Sequence, residues 1–154
     1  MGESRQHCRS VPMMRSSSLP PTLQVAITSR RLLKVIAGLT NVDPVAVLKI
    51  ARAAAAGGAD LVDIACEPAL VRAVAEACPQ LPICVSAVDP ELFPAAVAAG
   101  AVLVEIGNFD AFYPQGRVFG AEEVLELTRR TRALLPEVVL SVTVPHVLPL
   151  DQQE

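Results

Sequence analysis

The sequence predicts an α/β fold, namely the first (β/α)4-β5 part of a (β/α)8 TIM-type barrel. Three observations carry that reading. Five short aliphatic runs (residues 32–37, 61–66, 81–86, 102–106 and 138–144) alternate with segments of helical spacing near 44–57, 68–78, 90–99 and 120–135. Cap and turn residues punctuate the joins. Polar side chains occupy alternate positions inside the runs: Lys34 between Leu33 and Val35, Asp63 between Val62 and Ile64, Glu105 between Val104 and Ile106. Strand–helix alternation implies a parallel sheet with right-handed crossovers. An open doubly wound sheet is covered on both faces and has strands apolar throughout. A barrel strand faces helices on one side and gathers polar groups on the other near its C-terminal rim, which is the pattern here.

In chain order, residues 1–27 carry Ser4, Ser10, Ser16, Ser17, Ser18, Pro12, Pro20 and Pro21 and no evident apolar periodicity. They are expected to form a disordered N-terminal tail, with residues 28–154 forming the barrel part. The tail reads either as part of a transit peptide, rich in Arg and Ser, or as sequence upstream of a start at Met13 or Met14. The strand at 32–37 carries Lys34. Asp43-Pro44 then opens a helix, the carboxylate capping an orphan amide and the proline needing no partner at the first helical position. Gly57-Gly58 closes it. The strand at 61–66 holds Asp63 and Cys66, and the strand at 81–86 holds Cys84 and Ser86. Asp89-Pro90 caps the next helix and Gly100 ends it. After the strand with Glu105 comes a long loop, 107–119, with four of the protein's five aromatic residues. The helix at 120–135 places Val124, Leu127, Thr128, Thr131, Leu134 and Leu135 on one face. Ser141 and Thr143 alternate with Leu140, Val142 and Val144 in the fifth strand, and Leu150 onward reads as the first turn of another helix.

At 154 residues the chain is long enough for one domain. It is 52% apolar but only 3% aromatic, so its core is aliphatic. No apolar stretch approaches the roughly 18 residues of a membrane span. Residues 1–31 have a net charge of +4 and the remainder −7. An acidic body without a basic stripe argues against nucleic acid and leaves a small molecule or another protein as partner. Self-association is a further way to cover the open sheet edges. The four cysteines (Cys8, Cys66, Cys78, Cys84) match no zinc spacing, so no metal site is expected. The cofactor is unknown: the sequence has no nucleotide-binding glycine loop, HExxH helix or GxSxG elbow.

Barrel chemistry sits at the C-terminal strand ends. Lys34, in an apolar surround, would have a lowered pKa, as general-base or Schiff-base lysines require; the plainer reading is an internal ion pair with Asp63 or Glu105. Asp63 and Glu105 converging beside it could divide acid and base roles, because proximity separates their pKa values. His146 follows the fifth strand directly, where a general acid or base is useful, or where it merely caps. Asn41, Ser86, Ser141 and Thr143 are candidate hydrogen-bonding groups. In the aromatic loop, Asn108, Asp110 and Arg117 suit a flat or anionic ligand, against a plug that packs its own rings.

The segments 33–41 (LKVIAGLTN), 62–66 (VDIAC), 81–88 (LPICVSAV), 104–110 (VEIGNFD) and 140–146 (LSVTVPH), with the closing LPLDQQ, resemble the hypothetical chloroplast reading frame 23 family (domain of unknown function 561) of cyanobacteria and algal plastids. The resemblance covers roughly residues 31–153. It implies a barrel-type protein of the plastid stroma or the cyanobacterial cytoplasm, continuing beyond residue 154, and supplies no catalytic assignment. Two functions follow as expectations. One is an enzyme of the lyase, isomerase or epimerase type acting on a small polar or phosphorylated metabolite by acid–base chemistry. The other is a non-enzymatic binding or regulatory protein that uses the aromatic loop as its interaction surface, this chain being an inactive fragment.

Overall fold

A computed structural model of the chain describes residues 19–153. Helix α1 (Pro21–Thr28) precedes five parallel strands, β1 (Lys34–Ile36), β2 (Leu61–Ala65), β3 (Ile83–Ala87), β4 (Leu103–Ile106) and β5 (Val139–Val142), arranged in sequential order in one sheet. Between them run α2 (Pro44–Ala56), α3 (Pro68–Ala77), α4 (Phe93–Ala98) after a 3-10 turn at Pro90–Leu92, and α5 (Ala121–Leu134); α6 (Leu150–Gln153) is the last turn. These elements fall on the segments their periodicity marks. A doubly wound sheet reverses strand order at a switch point, and this one does not.

The helix ends are built from local chemistry. Asp43 and Asp89 accept from the amides of Val45 (3.0 Å) and Glu91 (3.1 Å). Glu67 caps α3 in the same way from Ala69. Beyond Gly58 (φ +75°) and Gly100 (φ +124°), the amides of Ala59 and Ala101 reach back to the carbonyls of Ala54 and Ala96. Both are left-handed C-terminal turns that a side chain would strain.

The strands present two different faces. Val62, Ile64, Ile83, Val85, Val104 and Ile106 pack beneath Val47, Val71, Val74, Phe93, Ala96 and Val124 of α2–α5. All four helices therefore cover one side. On the other side the register forms two rungs, Asp63–Cys84–Leu103–Val139 and Ala65–Ser86–Glu105–Ser141. The lower rung is apolar apart from Asp63, and the upper is mostly polar. Leu134, expected on the buried face of α5, is 38% exposed.

The division at residue 27 needs correction within the described residues; residues 1–18, including Cys8, Met13 and Met14, lie outside them. Pro21–Thr28 is a helix, with Leu19, Leu23 and Ala26 buried. Leu19 and Leu23 cluster with Leu61, Cys84 and Leu103, so α1 closes the lower end of the inner face. The spacing 19, 23, 26 is a helical stripe, but it is short and lies beside a serine- and proline-rich stretch. Docking onto the sheet stabilises a helix of 8 residues that would be marginal alone.

Candidate functional site

The polar groups of the inner face gather across both rungs, Ser86, Glu105 and Ser141 from the upper and Asp63 from the lower. Lys34 stands at the start of β1, and its Nζ donates to Oε2 of Glu105 at 2.7 Å and to Oδ2 of Asp63 at 3.2 Å. Ser86 donates to the other oxygen of Asp63 at 2.6 Å, and Ser141 donates to Glu105 at 2.7 Å. Asp63, Ser86 and Glu105 are almost wholly buried, while the Lys34 side chain keeps 21% of its surface. Alternation on five neighbouring strands, one residue from each, brings the five together. The α1 floor seals them from below.

Electrostatics follow from this geometry. Burial alone would lower the pKa of Lys34, but the hydrogen bond to Glu105 and the charges of Asp63 and Glu105 outweigh it and raise the value above the usual. The expected lowered, nucleophilic lysine is thereby corrected: two carboxylates within hydrogen-bond reach keep the ammonium charged. Burial lifts the pKa of Asp63, against the lowering effect of Ser86 and Lys34 and with a further rise from Glu105. Cys84 is neighbour to Asp63 in the lower rung, and burial pushes its thiol far up, so it serves as a small apolar group.

Gly107, just beyond β4, lies against Thr143, whose amide donates to the carbonyl of Ile106 at 2.9 Å. A β-carbon at 107 would run into the Thr143 hydroxyl and stand 3.2 Å from its Cβ. Gly107→Ala is therefore expected to cost about 1–3 kcal/mol by overpacking. Thr143→Ala should recover most of it. Urea unfolding of the two single variants and the double variant checks this.

The remaining candidates lie apart from this cluster. His146 is exposed after β5, its ring edge-on to Tyr113 at 5.3 Å. Asn41 braces the loop after β1, donating to Ala37 and accepting from the amide of Asp43. Asp110 is exposed in the first turn of a 3-10 helix, Phe109–Gln115, that occupies the expected loop. The rings pack on one another: Phe109 and Phe112 both meet Phe119, at 4.8 and 5.7 Å. The Arg117 guanidinium lies 4.0 Å over the Phe119 ring and pairs with Glu123. The loop thus consumes its own stacking surface and its own cation. Asn108 enters it with φ +57°, and its Nδ2, like the Tyr113 hydroxyl, is buried without a partner. Sequence reasoning passed over Gly107 and the α1 floor.

Fold and site together define a parallel α/β protein with a single helical layer and a buried lysine–dicarboxylate cluster on its inner face. The chain belongs to the family described as Protein of unknown function (DUF561), which matches residues 17–154. It is 50% identical over 127 residues to the uncharacterized protein ycf23 of Cyanophora paradoxa, covering 82% of this chain and 52% of the relative. It is 38% identical over 126 residues to the protein of the same name from Pyropia yezoensis (82% and 46%), and 36% over 131 residues to that of Antithamnion sp. (85% and 47%). The chain spans about half the length of these relatives. Among solved structures it is similar to Mycobacterium tuberculosis Rv1207, with a TM-score of 0.45 and 21% identity over 72% of this chain and 59% of that one. No described helix is long and apolar enough to cross a membrane.

Proposed function

We propose that the chain forms the arc of a (β/α)8 barrel that carries the acid–base half of a small-molecule site. In this reading the units its longer relatives carry beyond the matched region close the barrel. The protein works in the plastid stroma or the cyanobacterial cytoplasm, on a small polar metabolite, by lyase, isomerase or epimerase chemistry. One observation carries the reading: Lys34 is held between two buried carboxylates on the inner face, each with its own hydroxyl partner. An ion pair built only for stability would be no worse as packed aliphatic side chains. A lone ammonium shared by two carboxylates leaves one carboxylate free to move a proton while the other keeps the lysine charged. Asp63 is taken as the proton carrier, since burial raises its pKa.

The test is proton exchange at carbon. The intact protein, incubated in D2O with a panel of small hydroxyketones and hydroxyaldehydes, is expected to wash deuterium into the position beside the carbonyl of one of them. Asp63→Asn and Glu105→Gln should each abolish that. Exchange that neither substitution slows, or no exchange with any compound, would sink the acid–base reading.

A further inference from the structure

Beside the cluster, at the C-terminal ends of β2 and β3, lies a cavity of about 300 Å3. Its walls are apolar, chiefly Leu39, Val42, Leu92 and Phe112, and Ser86 lies at its edge. Ser86 also bonds Asp63, so the cavity adjoins the acid–base groups directly. Such a volume is at the lower end of that of ligand pockets.

The charge around it is one-sided. Glu67 and Asp89 line it, Asp63 and Glu105 lie behind Ser86, and no basic residue is among its lining. The nearby cation, Lys34, is already shared by two carboxylates. Helix N-termini at this rim could have welcomed an anion. Here the Glu67 and Asp89 carboxylates already sit on them, accepting from the amides of Ala69 and Glu91. Cys66, in the cavity wall, reports the same field: burial first, then the charges of Glu67 and Asp89, push its thiol up to about 12. Burial opposes a charge of either sign there, whereas the two carboxylates oppose an anion and favour a cation.

We infer that this cavity binds a small molecule with an apolar body and an amine or other cationic end, and rejects phosphorylated and carboxylated ligands. The expected phosphorylated metabolite is thereby narrowed for this part of the molecule. The inference concerns binding alone, so it stands or falls separately from the proton-transfer reading.

Cys66 supplies the test, since it is half-buried in the cavity while Cys78 and Cys84 are buried elsewhere. In the full chain with Cys8→Ser, alkylation of Cys66 is followed by mass spectrometry with phenethylamine, 3-phenylpropionate or phenyl phosphate present. Phenethylamine is expected to slow labelling several-fold and the two anions to leave it unchanged. Leu92→Trp, which fills the cavity without touching the cluster, should remove the amine's protection; circular dichroism checks that this variant is folded. Equal protection by an anion, protection by none of the three, or protection that survives the filled cavity in a folded variant would each overturn the inference.

Discussion

Lys34→Met is expected to destabilise the protein by about 3–5 kcal/mol, because it strands two buried carboxylates that now share one ammonium. For a domain whose total stability is about 5–15 kcal/mol, that is a large share. Adding Asp63→Asn and Glu105→Gln should return most of the loss, since the neutral amides need no counter-charge and can still hydrogen-bond Ser86 and Ser141. Urea unfolding of the single and triple variants separates a missing charge from missing packing. If Lys34→Met alone costs under about 1 kcal/mol, the pair behaves as a solvated surface bridge and its role in the site is lost.

The same cluster sets an alkaline limit. The fold raises the pKa of Lys34, so its stabilising contribution is complete below about pH 10.4, where the unfolded lysine is also charged. It is lost as the pH climbs through the higher folded value. Asp63 is also raised, so its proton-linked stability is full below about pH 3.9 and is lost as the pH rises through its folded value. The unfolding midpoint of the wild type should therefore fall more steeply above about pH 10.4 than that of Lys34→Met, which has no such proton to lose. Parallel curves would contradict it.

The second large effect is expected at the floor. Leu23 is 1% exposed against Leu61, Cys84 and Leu103. Leu23→Ala should cost about 2–5 kcal/mol, as a truncation in a packed core does. Val25 is on the same helix but 65% exposed, and Val25→Ala should change stability by under about 0.5 kcal/mol. A disordered segment would give two small, equal values. Unequal values place α1 within the fold, in agreement with a family match that begins at residue 17.

Much of the fold was legible because its signals are local. Asp43, Asp89, Gly58 and Gly100 end helices through bonds to residues a few positions away, so any chain with those residues in that order meets the same physics. Alternation was equally local. It placed Asp63, Glu105 and Ser141 on one face before any register was known, because side chains on a strand must point to opposite sides in turn. Lys34 joining them needed only the inference that parallel strands lie side by side.

What the sequence could not decide depended on distant neighbours. Leu19 and Leu23 make a helix only because the lower rung offers them an apolar floor; by themselves they sit in a polar, proline-rich stretch. The direction of the Lys34 pKa turned on a 2.7 Å contact with a residue 71 positions away, and burial alone argued the opposite sign. Arg117 and its rings looked free for a ligand until the loop folded them onto Phe119 and Glu123. By itself the sequence determined the alternating elements, their caps and which strand residues share the inner face. Tertiary structure alone decided how those side chains pair, what is sealed from water and where space is left for a ligand, because those energies depend on distances between residues far apart in the chain.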